Sequence, residues 1–284
     1  MLIKPKAVVV TGASSPIGVT LVNRLIKSRL VKVVALCSGR SIVESEIFDK
    51  RIDVMYCDLS GSIPGTIAAI VKQADFLFHL AWIRKKKLSD AKRINEGVLE
   101  KLLILRRPNS GLLFLSSVAA SPSTRSIYGS AKYHVMQKVV DADGIVFVSG
   151  LVKSDPPFGP DALLKSLVSR LPFRVRFRNP DPMVYSVALE DLIESLIDAL
   201  GGSYLPGIYR QFSEPQGLNQ SLIDIERGRG VSKRKIMTFN TIKLVRTCFW
   251  LRETIPNSPL VLDKIITFLD KDDYFLGRIR CQQK

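Results

Sequence analysis

Histidine is nearly absent from this 284-residue chain, which has two, and its four cysteines, Cys37, Cys57, Cys248 and Cys281, stand apart without a CxxC pair or other metal-ligand spacing. No metal centre is therefore expected, and unpaired thiols suit a reducing compartment. Long apolar runs are missing too. The most hydrophobic windows are broken by Lys, Arg or Asp well before the roughly 20 residues that span a bilayer. Met1 to Lys6 lead straight into Ala7-Val8-Val9-Val10, so no secretory leader is expected and a cytoplasmic location follows. Acidic residues are scarce, 26 against 42 Lys and Arg, for a net charge of +16. A field of that sign draws anionic ligands such as nucleotides, acidic membrane surfaces or nucleic acid. The clusters Arg84-Lys85-Lys86-Lys87 and Lys233-Arg234-Lys235 lack interleaved aromatics, so they do not make a single-strand stacking platform, and a nucleic-acid partner is not expected. What is plentiful is apolar matter: 46% hydrophobic residues are enough for a real core.

The first organised stretch reads strand, turn, helix. Val8 to Val10 is a β-branched run, Thr11-Gly12-Ala13-Ser14-Ser15-Pro16-Ile17-Gly18 is a glycine-containing turn, and Leu21, Leu25 and Ile26 follow at helical spacing. Further buried strands are expected at residues 31–36, 54–57, 76–80, 112–115 and 145–148, with helical stretches between them. That alternation predicts an α/β Rossmann fold: a doubly wound parallel sheet with helices on both faces. The rhythm changes after Ser149, where Pro156-Pro157-Phe158-Gly159-Pro160 is a breaker. Residues 1–150 are thus read as a dinucleotide-binding domain to which later segments return, and residues 151–284 as a smaller lobe completing a substrate pocket.

Tyr128-Gly129-Ser130-Ala131-Lys132 adds chemistry to that frame. Four residues is about one helical turn, so Tyr128 and Lys132 project from one helix face. An ammonium beside a phenol favours the phenolate, which makes tyrosine usable as acid or base near neutrality. Together with the glycine turn, this describes a nicotinamide site with its own proton donor, as reversible oxidation of a carbinol requires.

These residues resemble the extended short-chain dehydrogenase/reductase superfamily, specifically the NAD(P)-dependent epimerase/dehydratase group acting mostly on nucleotide sugars. Thr11, Gly12 and Gly18 fit that group's TGxxGxxG motif, while Ser15 replaces the middle glycine. Asp58-Leu59 matches the acidic pair that holds adenine in the family, His79-Leu80-Ala81 its HLA segment, and Asn95-Glu96-Gly97 a compressed form of its NxxGT helix start. Leu115-Ser116-Ser117 matches the start of SSxxxYG. The resemblance implies a cofactor site made of Gly12, Ser14, Ser15, Pro16, Ile17, Gly18, Ser38, Arg40, Asp58, Leu59, Leu80, Ala81, Tyr128 and Lys132. It assigns catalysis to Ser117, Tyr128 and Lys132, with Ser116 as the fallback for Ser117. Residues 184–192 resemble the family's xVxVxDLxxA strand and helix, with Asp191 as a helix N-terminal acid.

Phe173-Arg174-Val175-Arg176-Phe177-Arg178 alternates apolar and basic residues, so a strand would set three guanidinium groups on one face, and such forks suit a substrate diphosphate. Arg174, Arg176 and Arg178 are therefore candidate substrate ligands, the alternative being a solvent-facing strand. The family's Arg-Pro after the sixth strand is replaced by Ser149-Gly150, and its C-terminal LGWxP segment has no counterpart.

At the end of the second strand, NAD-specific proteins carry an acid for the ribose hydroxyls. Here Leu36-Cys37-Ser38-Gly39-Arg40 has none, and Ser38 with Arg40 would suit a 2′-phosphate, so NADP is expected, with NAD the alternative. The expected reaction is reduction of the C4 keto group of a nucleotide-activated acetamido or deoxy sugar in surface polysaccharide biosynthesis. A 4-epimerase with tightly bound NAD is the runner-up. A dehydratase would need an Asp-Glu pair where Val118-Ala119 stand. A non-catalytic nucleotide or nucleic-acid binder on the same scaffold is the distant alternative, resting on charge alone. The family's habit implies a homodimer. Residues 242–251 mix Lys243 and Arg246 with Leu244, Phe249 and Trp250, which allows weak association with an acidic membrane or, equally, a core-facing helix.

Overall fold

The β-branched run at the start forms β1 (Lys6–Thr11), whose last four residues are buried on both faces. In the computed structural model, which describes residues 6–28, 31–38, 48–230, 233–254 and 260–279, β1 leads to α1 (Pro16–Leu25), β2 (Val31–Cys37), β3 (Asp53–Tyr56), α2 (Gly65–Gln73) and β4 (Phe76–His79). There follow α3 (Leu88–Leu105), β5 (Gly111–Ser117), α4 (Ile127–Asp141), β6 (Ile145–Ser149), β7 (Leu151–Lys153) and α5 (Gly159–Arg170). The rest is β8 (Arg174–Arg178), β9 (Met183–Val184), β10 (Ser186–Ala188), α6 (Leu189–Leu200), β11 (Gly207–Gln211), β12 (Gln216–Gly217), α7 (Leu218–Gly228), β13 (Ile236–Asn240), α8 (Thr241–Thr254), α9 (Leu260–Leu269) and α10 (Asp273–Gly277).

Seven strands make one parallel sheet in the order β11-β6-β5-β4-β1-β2-β3. All six strands expected from the sequence are in it, and the seventh, β11, returns from beyond residue 150 with α6. Period two puts alternate β1 side chains on opposite faces. Val8 and Val10 pack with Leu21 and Leu25 of α1 and with Leu192 and Leu196 of α6. Val9 packs on the other face with Val71 of α2, Leu99 and Leu102 of α3, and Val135 and Met136 of α4. Both faces are covered, which explains why the strands read as continuous apolar runs.

The chain reverses its direction of winding at β1, between β4 and β2. That is the topological switch point, where the crevice beyond the strand ends takes ligands in open α/β sheets. Thr11 lies level with Leu36 on one side and His79 on the other, and Ser117 level with Ser149. These ends define the site.

The remaining strands pair only in twos: β7 with β10, β9 with β12, and β8 with β13. Asp191 lies in the first turn of α6, where an acid offsets the helix dipole. Helix α8 buries Val245 and Cys248 while Ile242, Phe249 and Trp250 are exposed. Cys37, Cys57 and Cys248 are buried free thiols; Cys281 lies outside the described residues. Among the described residues no helix is long and apolar enough to cross a membrane, and no cluster of three metal-ligating side chains occurs.

Candidate active site

Tyr128 is the second residue of α4, and its position is fixed from two directions. The Ser126 side chain caps the helix by accepting from the Gly129 N–H at 3.0 Å. Asp263 of α9 accepts from the Ile127 N–H at 2.7 Å and the Tyr128 N–H at 3.2 Å. Amides at a helix start have no intrahelical acceptor, so two side chains hold this turn in place. Gly129 lets the helix lie against the turn after β5: a Cβ there would stand 2.1 Å from the Ala119 carbonyl oxygen. The approach brings Tyr128 beside Ser117, the last residue of β5, whose hydroxyl favours the phenolate.

The Ser117 Oγ also accepts from the Ala119 N–H at 3.3 Å. Ser116 points elsewhere: its hydroxyl is buried without a hydrogen-bond partner, so Ser117 is the hydroxyl at the tyrosine.

Lys132, one turn on, is buried, and its Nζ donates to the Leu115 carbonyl at 2.5 Å. Three rings surround the ammonium, with centroids at 4.7 Å for Trp82, 4.6 Å for Phe114 and 5.6 Å for Tyr128. Burial, with the nearby Arg84 charge, pulls Lys132 down to about 7. The ring faces act the other way, favouring the ammonium. Burial pushes the Tyr128 phenol up, opposed by the charge of Arg84 and by the Ser117 hydroxyl.

Across the sheet ends lies the glycine turn. Gly12 has φ +69, the left-handed region that glycine occupies freely, and a Cβ there would stand 2.6 Å from the Ala81 nitrogen. The Thr11 Oγ1 is 2.8 Å from His79 Nδ1 and accepts from the Ala81 N–H at 3.3 Å, which ties β1 to the segment after β4. Burial first, then Lys132, holds His79 down to about 3, so the imidazole is neutral. Gly12, Leu80 and Ala81 thus lie together at the switch point. Gly18 packs against Gly12, where a Cβ would stand 2.4 Å from the Gly12 carbonyl.

Whether this crevice fits a dinucleotide turns on the amides at the start of α1. Pro16 has no N–H, and the Gly18 N–H is taken at 3.1 Å by the capping Ser15 Oγ. Ile17 therefore has the first-turn amide that would be available to a pyrophosphate. The Ala13 N–H donates to the Leu36 carbonyl at 3.3 Å, joining the turn to the end of β2, and Ser14 lies beside the Cys37 thiol. The turn, its close approach and the helix start fit the group, with fewer amides than an all-glycine motif provides.

Beyond Cys37, Ser38 is exposed and no acid follows β2 up to that residue; Arg40 lies outside the described residues. Asp58 is exposed after β3, its Oδ1 accepting from the Ser60 N–H at 3.0 Å and hydroxyl at 2.6 Å, while Leu59 is buried.

Arg174, Arg176 and Arg178 do form a strand, but two of the guanidinium groups are committed to protein. Arg174 Nε donates to Glu226 Oε2 at 2.9 Å, and Arg176 donates to both Glu226 oxygens at 2.7 and 2.6 Å. Glu226 is 2% exposed, and a carboxylate so buried needs such partners. The pair braces α7 against β8, and Arg178 is exposed at the strand end.

Sequence reasoning missed three residues here. Trp82 stands edge-on to Tyr128 at 5.8 Å, and Arg84 lies over the Tyr128 ring at 4.9 Å. Asp263 is the third, ion-paired with Arg252 at 2.8 Å. All three line a cleft at the tyrosine with Lys85, Ile127 and Lys264. Trp82 and Arg84 directly follow His79-Leu80-Ala81, which was the available signal; for Asp263 there was none.

No protein-family model and no curated protein matches the sequence. Solved structures do match in shape. The gox2253 structure shares 18% identity, over 94% of this chain and 91% of that one, at a TM-score of 0.70. UDP-glucuronic acid 4-epimerase from Bacillus cereus, in complex with NAD, shares 16% over 95% and 99% at 0.66. dTDP-glucose 4,6-dehydratase from Bacillus anthracis, also with NAD, shares 12% over 95% and 98% at 0.67. At these identities the likeness is one of fold, and the chain has the fold of these NAD-bound epimerase and dehydratase structures.

Proposed function

We propose that this protein is a nicotinamide-dependent oxidoreductase that epimerises C4 of a nucleotide-activated sugar, with Tyr128 as the proton-transferring group. The observation that carries the reading is the constellation at the strand ends: the Tyr128 phenol beside Ser117, with Lys132 one turn on and its Nζ 5.6 Å from the tyrosine ring centroid. Gly12, Ser14, Ser15, Pro16, Ile17, Gly18, Leu80 and Ala81 would hold the dinucleotide, Ser38 its ribose end and Asp58-Leu59 its adenine. Such a cofactor supplies a hydride acceptor and donor. The Ser117 hydroxyl orients the substrate oxygen, and Tyr128 takes the C4 hydroxyl proton when the carbinol is oxidised. On the return the same phenol gives its proton to the forming alkoxide. Lys132 stands one turn from the phenol, held by the Leu115 carbonyl and the rings. Val118 and Ala119, both buried, provide no acid for eliminating water, which argues against a dehydratase.

NAD is favoured because the epimerase and dehydratase structures of this fold named above are NAD complexes. One observation favours a second reading, NADP-dependent reduction of a 4-keto sugar: no acid follows β2 up to Ser38. Denaturing the purified protein and identifying any released nucleotide separates the two. Released NAD, with interconversion of C4 epimers, supports the epimerase. NADPH consumption with a 4-keto-6-deoxy nucleotide sugar, and no retained NAD, supports the reductase. Neither activity with UDP-, dTDP- or ADP-sugars would overturn both.

A further inference from the structure

The motif assigns the positive charge beside the tyrosine to Lys132, but the side chains are arranged otherwise. The Lys132 Nζ is turned toward the Leu115 carbonyl and lies closer to the Phe114 and Trp82 ring centroids than to that of Tyr128. Arg84 is nearer the tyrosine, its guanidinium carbon 4.9 Å from the ring centroid against 5.6 Å for Lys132 Nζ.

We propose that Arg84 is a positioning residue for Tyr128, whose guanidinium over the ring supplies the lasting positive charge that draws the phenol toward its phenolate. The charge of a phenolate is shared with its ring, so a cation over the ring face gains attraction as the proton leaves. A guanidinium keeps its charge at every pH a protein survives, whereas a buried lysine sheds its proton readily. Burial has already pulled Lys132 down to about 7, and Arg84 contributes to that shift.

The presentation of Arg84 is built into the fold. Asn95 of α3 is 3% exposed, and its side chain accepts from the Ile83 N–H at 2.9 Å and donates to the Ile83 carbonyl at 2.9 Å and the Ala91 carbonyl at 2.8 Å. It clamps the backbone one residue before Arg84, while Trp82 one residue earlier packs edge-on against Tyr128. The charged groups around the tyrosine are Arg84 and Lys85 after β4, Lys132 on α4, and Asp263 and Lys264 on α9. Asp263, the acid among them, is engaged by the Ile127 and Tyr128 amides and by Arg252.

The inference rests on Tyr128 being the proton-transferring group, but its test reads ionisation alone. Stopped-flow pH jumps, followed at 295 nm within milliseconds and so ahead of global unfolding, record tyrosinate formation. Subtracting the same record for Tyr128→Phe isolates Tyr128. Arg84→Gln is expected to raise its midpoint by about one pH unit, Arg84→Lys to raise it as well because a lysine loses its proton in the same alkaline range, and Lys132→Met to move it less than Arg84→Gln does. An unchanged midpoint in Arg84→Gln, or no fast Tyr128 phase in the wild type, would overturn the inference while leaving the oxidoreductase reading in place. An Arg84-dependent midpoint in a protein that turns over no nucleotide sugar would do the reverse.

Discussion

Tyr128 and His79 make separable predictions at the residue scale. Tyr128→Phe removes a single hydroxyl from a half-buried ring, so the fold should be kept while turnover falls by about 10²–10⁴-fold, the usual worth of a positioned acid or base. Circular dichroism and initial rates check the two halves. His79 titrates in the unfolded chain near its ordinary value of 6.5 but is held neutral down to about 3 in the fold. The unfolded state therefore binds the extra proton first. The stability that His79 contributes is complete above about 6.5 and is lost as pH falls toward 3, by about 1.4 kcal/mol per pH unit. Denaturant unfolding of the wild type and His79→Gln between pH 4.5 and 7 should show the variant with the shallower slope; parallel slopes would contradict a buried neutral imidazole.

Among the elements, the start of α4 depends on a helix far along the chain. Asp263 lies 136 residues from Ile127, yet its carboxylate holds the first turn. Asp263→Ala should cost about 2 kcal/mol, because it strips a charged acceptor from two amides and leaves the nearly buried Arg252 with fewer partners. Urea unfolding measures this, and Asp263→Asn should recover part of it. Gly129→Ala meets the Ala119 carbonyl and should move α4 off the β5 turn, costing about 1–3 kcal/mol and most of the activity. The main strands were legible from sequence because each is an apolar run bounded by turn residues. The paired strands β7, β9, β10 and β12 are two or three residues long, too short for periodicity to register. The β8 arginines show the limit of local reading: alternation predicted their strand, but Glu226, about 50 residues on, determines what two of them bind. The tyrosine, lysine and serine were legible as a motif, whereas the Trp82 wall and the Asp263 cap arise only when distant segments meet.

For the whole molecule, the net charge of +16 and the crevice at the switch point together suit an anionic dinucleotide. A ligand present at 100 times its Kd adds about 2.7 kcal/mol to stability, so NAD at saturation should raise Tm by a few degrees, more than NADP does. Gly12→Val should abolish the shift, since its side chain would meet the Ala81 backbone. If Tyr128 moves a proton at C4 of a nucleotide sugar, as proposed, proton NMR of UDP-, dTDP- and ADP-hexoses incubated with the protein and NAD will record it. The C4 epimer of at least one is expected to accumulate to equilibrium with wild-type protein and not to form with Tyr128→Phe. Epimer formation at the same rate with both proteins would contradict the proposal.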